Sequence, residues 1–152
     1  MTTASHSSSD KGGMAIGHFL QKQDLFQKKF GAQGEGLAAQ YLKNHGYTIL
    51  SKNYRTRLGE IDLIVQKDGV IHFVEVKNRH RGDLVGLNEL IPYSKQKKIS
   101  KVAQEYVAKL ARSSKCKGEV DAVFSALLID WSDAESPQIE WIENAFDLSY
   151  GY

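Results

Sequence analysis

The chain contains a single cysteine, Cys116, among its 152 residues. One cysteine excludes an internal disulfide framework and any zinc site built from several cysteines. No apolar run approaches the ~20 residues that a membrane-spanning helix needs. The apolar segment AIGHFL near the N-terminus is too short and too broken for a signal peptide. These absences favour a cytoplasmic protein that makes no use of a membrane.

Lysine and arginine are absent from residues 119–152, which carry 8 acidic side chains. Residues 77–118 have the opposite balance, with 11 Lys and Arg against 3 Asp and Glu. A basic segment of this kind is either a solvated helix face or a surface that attracts a polyanion such as nucleic acid. The net charge of +2 conceals this division.

Length and composition fit one folded domain with a tail, since 41% of the residues are hydrophobic and 25% are charged. Residues 1–13 are rich in serine and end in Gly-Gly, which predicts a disordered tail. Residues 14–30 predict a weakly ordered N-terminal extension. We expect residues 31–152 to form the domain that carries the function.

Hydrophobic periodicity within that domain predicts the order α-β-β-β-α-β-β. The first helix spans about residues 32–45 and ends at Gly46, and the second begins after an N-cap at Ser94 and continues to about residue 112. A buried strand over residues 119–130 follows this crossover helix and is a candidate for parallel pairing. The order predicts an α/β fold with a mixed β-sheet flanked by helices.

The segment 58–79, LGEIDLIVQKDGVIHFVEVKNR, predicts a β-hairpin. Asp68-Gly69 suits a type I′ turn, which needs positive φ at both central residues. This turn places Lys67 opposite Val70 and fixes the register of the two strands. One face of the hairpin is expected to lie in the core, and it carries Ile61, Leu63, Val65, Val74 and Val76.

The same register places Asp62 opposite Glu75 and Glu60 opposite Lys77. Two neighbouring carboxylates on a largely apolar hairpin repel each other and lose solvation energy. A hard divalent cation with oxygen ligands would relieve that repulsion. The alternative is a solvated surface hairpin in which Lys77 neutralises Glu60 across the strands.

Two further charged residues lie on the apolar stripes of the predicted helices. Glu35 either benefits from the positive end of the first helix dipole or points towards the acidic pair. Lys95, at the start of the second long helix, either covers part of the core with its aliphatic chain or reaches a phosphate near the carboxylates.

A set of motifs extends from about Gly31 to Phe146. Asp62, followed after twelve residues by Glu75-Val76-Lys77, is similar to the D…(D/E)xK core of the restriction-endonuclease-like superfamily. The chain as a whole resembles the YraN-like family of bacterial predicted endonucleases. The residues that carry this likeness are Gly34-Glu35, Ala39, Tyr41-Leu42, Gly46-Tyr47, Asn53, GEID at 59–62, FVEVK at 73–77, Arg79, Ala103, Tyr106, Trp141-Ile142 and Asn144-Ala145-Phe146.

The resemblance implies a restriction-endonuclease-like fold and a metal-dependent endonuclease that hydrolyses phosphodiester bonds in DNA. Asp62 and Glu75 would ligate Mg²⁺ or Mn²⁺, with the carbonyl of Val76 as a further ligand. Lys77 would orient the attacking water or stabilise charge on the phosphate, and Glu35 would match the acidic residue of the first helix.

The basic residues around this core are predicted to bind nucleic acid. Lys95 or Gln96 would match the polar residue on the helix after the core. Arg55 and Arg57, which follow a strand predicted over about residues 47–54, either contact phosphate or only solubilise an edge. The candidates are Arg55, Arg57, Arg79, Arg81, Lys95, Gln96 and Lys98.

The chain departs from the family pattern in two places. Ile61 stands where the superfamily has proline, and Glu119-Val120-Asp121 replaces the arginine that precedes the fourth-strand Asp of relatives, which puts a phosphate contact there in doubt. Structure-selective cleavage of junctions or branched DNA, in repair or recombination, would favour a symmetric homodimer. The competing hypothesis is a nucleic-acid-binding or partner-binding domain with the same fold and little or no catalysis.

Overall fold

The structure, a computed structural model, describes residues 11–80, 86–113 and 118–147, without the side chains of residues 11–16, 19 and 26. It has the predicted element order with one short helix added before the second long one. The elements are α1 (Lys11–Asn44), β1 (Thr48–Thr56), β2 (Gly59–Lys67), β3 (Val70–Arg79), α2 (Leu87–Leu90), α3 (Tyr93–Arg112), β4 (Ala122–Asp130) and β5 (Gln138–Phe146). None of the helices in these described ranges is long and apolar enough to cross a membrane.

The five strands form one mixed sheet in the order β1-β2-β3-β4-β5. Strands β3 and β4 are parallel, as predicted for strands joined by a crossover helix, and the other neighbouring pairs are antiparallel. This mixed sheet with flanking helices is consistent with a restriction-endonuclease-like fold and confirms the expected fold class.

The chain divides into two compact units, Met1–Gln33 and Gly34–Tyr152, and the division falls within α1. In the first unit the described residues are helical from Lys11 onward, including residues 11–13 of the predicted tail. Its leucines Leu20 and Leu25 are exposed. Residues 1–10 lie outside the described part of the chain, so their disorder stays a prediction, as does the functional boundary after residue 30.

In the second unit, α1 ends with the predicted glycine. Gly46 has φ of 84°, a conformation that glycine adopts without a Cβ penalty. Its N–H donates to Lys43 O, and the N–H of Tyr47 donates to Leu42 O at 3.0 Å. These two bonds form a Schellman motif, which satisfies helix carbonyls that would otherwise lack donors.

A hydrophobic core lies on each face of the sheet. The cluster beneath the C-terminal part of α1 consists of Ala38, Ala39, Leu42, Tyr47, Leu63, Val65, Val74, Val76, Leu127 and Ile129. The cluster beneath α3 consists of Ile61, Ile64, Ile71, Phe73, Ile91, Ile99, Val102, Ala103, Phe124 and Ala126. The sheet is therefore covered by a helix on both sides, with β3 as its central strand.

Three local predictions are wrong. The first helix begins at Lys11 rather than near residue 32, so Glu35 does not lie in its first turn. Helix α3 begins at Tyr93, and its N-cap is Pro92 rather than Ser94, because the Pro92 carbonyl already accepts from the N–H groups of Lys95 and Gln96. Ile61 packs with the α3 cluster rather than with Leu63 and Val65, because the side-chain alternation of β2 changes near Asp62.

The hairpin register is as predicted from the turn to the middle of both strands. Asp68 and Gly69 have φ of 50° and 83°, as a type I′ turn requires. Lys67 pairs with Val70, and the β2–β3 ladder continues as far as Leu63 and Val74.

Gly34 allows α1 to pack closely against the end of β3, and this contact gives a test with a matched control. A Cβ on Gly34 would collide with the carboxamide of Asn78, whose Oδ1 accepts a hydrogen bond from Trp131 Nε1 at 2.9 Å. A Cβ on Gly36 would meet nothing within 4 Å. Gly36→Ala should therefore raise the free energy of unfolding by about 0.5–1 kcal/mol through helix propensity.

Gly34→Ala should instead lower the free energy of unfolding by about 1 kcal/mol or more, since displacing Asn78 costs a partly buried hydrogen bond. Urea denaturation of the two variants beside wild type measures both effects. Equal stabilisation by the two alanines would show that α1 does not depend on close packing at Gly34.

Candidate functional site

Strands β2 and β3 separate at Asp62. The ladder between them ends at Leu63 and Val74, and Asp62 Oδ2 accepts a hydrogen bond from the N–H of Val76 at 2.8 Å. The expected pairing of Asp62 with Glu75 through the backbone is thus replaced by a side-chain-to-backbone bond. The gap between the strands holds the polar groups of the site.

Glu75 is a buried carboxylate, with 3% of its surface exposed. Its Oε1 lies 3.2 Å from Lys77 Nζ and 3.4 Å from Lys95 Nζ. Its Oε2 is the one buried side-chain oxygen or nitrogen among the described residues that has no hydrogen-bond partner. A buried carboxylate oxygen without a partner costs free energy, so a water molecule or a cation at Oε2 would stabilise it.

Asp62 lies in an environment that opposes its ionisation. Burial, the negative charge of Glu75 and that of Glu35 together raise the pKa of Asp62 to about 7, against the opposing effects of the Val76 N–H and Lys95. The structure therefore brings together the predicted carboxylates Asp62, Glu75 and Glu35. A carboxyl group with a pKa this high is a common feature of functional sites.

Glu35 follows Gly34 on α1, and its negative charge contributes to the raised pKa of Asp62. The close approach of Gly34 to Asn78 places this part of α1 against the end of β3, one residue beyond Lys77. Of the two interpretations of Glu35, the helix-dipole one is wrong, because α1 begins at Lys11 and Glu35 is far from its first turn. The contribution of its charge to the pKa of Asp62 agrees with the other interpretation.

The donor set fits a hard divalent cation that keeps part of its water. Among the described residues there is no group of three or more His, Cys, Asp or Glu that could hold a metal ion. Mg²⁺ commonly binds through one or two carboxylates and completes its shell with water and phosphate oxygens. Glu75, through its unpaired Oε2, and Asp62 would supply two such carboxylates.

The Val76 carbonyl is a further candidate ligand. In an antiparallel pair, the N–H and C=O of one residue point towards the same neighbouring strand. Because the Val76 N–H is directed at Asp62, its carbonyl faces the same gap, beyond the end of the ladder. The assignment of Asp62, Glu75 and Val76 to a metal stays a prediction that this geometry fits.

The alternative of a structural ion pair between Glu60 and Lys77 is wrong. Glu60 Oε2 lies 3.1 Å from Arg55 Nε, across the β1–β2 pair, and both side chains are largely exposed. Lys77 pairs with Glu75 instead. The lysine of the EVK motif therefore belongs to the acidic site and not to a surface pair.

The predicted nucleic-acid contacts fall into three groups. Lys95 lies in the site. Arg57 and Lys98 are exposed, and Lys98 lies against the start of β2, since a Cβ on Gly59 would be 3.6 Å from Lys98 Cβ. Arg81 lies outside the described residues. The others have structural partners.

Three of the residues predicted to bind nucleic acid already have partners within the protein. Arg55 is paired with Glu60, and Gln96 Nε2 donates to the carbonyl of Ile91 at 2.8 Å. Arg79 pairs with Asp130 at 3.4 Å and with Glu140 at 3.6 Å, which ties β3 to β4 and β5. Their binding to nucleic acid stays a prediction, and the charge of Arg79 is already balanced.

A second polar cluster escaped the sequence analysis because its members are far apart in the chain. Tyr47 Oη donates to Glu143 Oε1 at 2.7 Å, Trp141 Nε1 donates to Tyr47 Oη at 3.2 Å, and the buried His72 shares a hydrogen bond with Ser125 Oγ. Burial lowers the pKa of His72. These groups satisfy one another, so the cluster fastens β5 to the segment after α1.

The chain is similar to proteins of one family along most of its length. Residues 34–129 match the profile described as "Uncharacterised protein family UPF0102", a range that begins at the first residue of the second unit and includes Asp62, Glu75, Lys77 and Lys95. The match is therefore with the unit that contains the acidic site.

Individual relatives agree with this profile. A "UPF0102 protein" of Geobacter metallireducens is 40% identical over 126 residues, which cover 83% of this chain and 98% of the relative. One from Syntrophus aciditrophicus is 42% identical over 134 residues, covering 88% and 98%. One from Alkaliphilus oremlandii is 54% identical over 80 residues, covering 53% and 68%.

The raised pKa of Asp62 predicts how stability changes with pH when no metal is added. The folded protein holds the Asp62 proton up to about pH 7, whereas the unfolded chain releases it near 3.8. The folded state therefore binds more protons over that range, and the free energy of unfolding falls as the pH rises. We expect Asp62 to contribute a loss of roughly 2–4 kcal/mol between about pH 4 and about pH 8.

Urea denaturation with a chelator across this range measures the effect, with Asp62→Asn as the matched control. Asparagine keeps an oxygen for the Val76 N–H but does not ionise, so the difference between the two proteins isolates Asp62. His72 acts in the opposite sense, because its lowered pKa makes the fold less stable as the pH falls. Parallel curves for wild type and Asp62→Asn would contradict the raised pKa.

Proposed function

The chain belongs to the uncharacterised protein family UPF0102, the YraN-like family that its motifs indicate, and we propose that it is a metal-dependent endonuclease. Its substrate would be DNA, cleaved by hydrolysis of a phosphodiester bond with Mg²⁺ or Mn²⁺. The single observation that carries the proposal is the buried Glu75 carboxylate, with one oxygen held by two lysines and the other without a partner.

The charges of the site support binding of both a divalent cation and a phosphate. When Asp62 is ionised, it and Glu75 lie near the ammonium groups of Lys77 and Lys95, and Glu35 adds a third carboxylate close enough to act on Asp62. These five charges leave one net negative charge. A divalent cation changes this to one net positive charge. A phosphodiester group, which carries one negative charge, then makes the site neutral, so metal and substrate favour each other's binding.

The residues divide the chemistry between them. Bound here, Mg²⁺ or Mn²⁺ would supply a Lewis acid that polarises a phosphate oxygen and lowers the pKa of a water molecule. Asp62 and Glu75 would hold the cation, and the Asp62–Val76 bond fixes one carboxylate in place. Lys77, close to Glu75, donates hydrogen bonds to the oxygens on which charge develops in the transition state.

The surroundings of the site favour a polyanionic substrate read by its backbone. Arg57 and Lys98 are exposed near the start of β2, and α3 has no acidic residue in its first turn. Lysine and arginine contacts to phosphate position nucleic acid without reading its sequence. We therefore propose recognition of DNA structure, such as a junction or branch, rather than of a base sequence.

The competing hypothesis, a binding domain without catalysis, has less support. Two adjacent carboxylates repel phosphate, and a protein that only binds nucleic acid gains nothing from burying them. Their burial is explained if a cation neutralises them during the reaction.

Cleavage of labelled DNA tests the proposal. Wild-type protein should cut at least one of linear duplex, single strand, flap and four-way junction with Mg²⁺ or Mn²⁺, and a chelator should abolish cutting. Glu75→Gln and Lys77→Met should each lower the rate by about 100-fold or more, because each removes a group that acts on the reacting phosphate or its metal.

Glu60→Gln is the matched control, since it changes an exposed carboxylate on β2 that pairs with Arg55 and not with the site. Its rate should remain within about twofold of wild type. Tight binding of these DNAs with no cutting under either metal would support the binding-domain hypothesis and overturn the nuclease. Absence of both binding and cutting would overturn both hypotheses.

A further inference from the structure

Lys95 occupies a position that is unfavourable for a positive charge unless a carboxylate compensates for it. It lies in the first turn of α3, where the helix dipole is positive, and that turn contains no acidic residue. Its ammonium reaches Glu75 Oε1 at 3.4 Å, from the helix to the central strand β3. The contact is therefore what stabilises the Lys95 charge at this point of the fold.

Two lysine ammonium groups contact the same carboxylate oxygen, Glu75 Oε1, although one of them is enough to neutralise the carboxylate. Lys77 Nζ lies 3.2 Å from Oε1, so the carboxylate keeps a lysine partner even without Lys95. The other oxygen, Oε2, has no partner. Lys95 is thus the more dispensable of two counter-ions, and it belongs to a different element from the carboxylate.

We propose that Lys95 is a displaceable counter-ion of Glu75, which metal binding releases to contact the phosphate of the substrate. This inference rests on the proposed function, because it assumes that a divalent cation binds between Glu75 and Asp62. The cation takes over the neutralisation of Glu75 and repels the nearby ammonium. Lys95 then lies at a positively charged helix end, where a phosphate replaces the carboxylate as its partner.

Two consequences follow for equilibrium binding. Lys95 competes with the metal in the absence of nucleic acid, so that metal binding to the free protein is weak. Once the metal is bound, the released Lys95 strengthens binding of the polyanion, and the two ligands bind cooperatively. Because such coupling is reciprocal, nucleic acid must also strengthen metal binding.

Calorimetric titration of the full chain with Mg²⁺ alone, at constant ionic strength and about pH 8, tests the competition. Lys95→Met removes the charge but keeps the length of the aliphatic chain. It should bind Mg²⁺ about 5- to 50-fold more tightly than wild type, the range typical of coupling between two sites. Lys101→Met, an exposed lysine further along α3, is the matched control and should leave Mg²⁺ affinity unchanged.

Fluorescence anisotropy of labelled DNA tests the release, with Ca²⁺ replacing Mg²⁺ to prevent cutting. Ca²⁺ should strengthen DNA binding by wild type and by Lys101→Met, and clearly less by Lys95→Met. Lys95→Gln is the second variant, so that a folding defect of one substitution, detected by its thermal unfolding temperature, does not decide the result.

Equal or weaker Mg²⁺ binding by both Lys95 variants would overturn the counter-ion proposal, while the nuclease proposal would remain. If neither wild type nor the variants bind Mg²⁺ or Mn²⁺, the proposed function fails together with it. The two failures are therefore distinguishable, because only the second removes metal binding from the wild-type protein.

Discussion

The repulsion between two carboxylates near the centre of the sheet is the constraint on which the site depends. Asp62 and Glu75 follow directly on the last backbone pair of the hairpin, Leu63 with Val74, and burial makes their charges costly. Without a metal, the protein meets this cost in two ways. Asp62 retains its proton up to about pH 7, and Glu75 is neutralised by lysines.

The strands and helices around the site stabilise this arrangement, in which Asp62 is protonated and Glu75 is paired with lysines. Strands β2 and β3 separate where Asp62 accepts the Val76 N–H, which leaves room between them. Gly34 brings α1 and its Glu35 against the end of β3, while α3 begins at Tyr93 and presents Lys95 from the other face. The helices on the two faces of the sheet therefore contribute opposite charges to one gap, and a divalent cation and a phosphate would complete the balance.

Much of the fold could be predicted because it depends on local patterns. The Asp68-Gly69 turn fixed the hairpin register, Gly46 ended α1, and the stripe along α3 marked its buried face. These features follow from backbone sterics and from the periods of helix and strand. The proximity of Asp62 to Glu75 could be predicted for the same reason, although the strands separate just before these two residues and no backbone pair forms between them.

What could not be predicted depends on contacts between distant elements. The register indicated a cross-strand pair between Glu60 and Lys77, but side chains choose among several oppositely charged neighbours in space, and Glu60 pairs with Arg55. The start of α3 was misplaced because the Pro92 carbonyl can accept the first helical bonds without a side-chain cap. The Lys95–Glu75 contact depends on how α3 crosses the sheet, which no local pattern specifies.

The position of the divalent cation proposed between Asp62 and Glu75 can be observed directly. A crystal grown with Mn²⁺ above pH 7 should give an anomalous scattering peak within about 2.1 Å of Glu75 Oε2 and of an Asp62 oxygen, the distance typical of a hard divalent cation. Lys95 should then have moved away from Glu75. Full Mn²⁺ occupancy elsewhere, with Glu75 still paired to both lysines, would contradict the account.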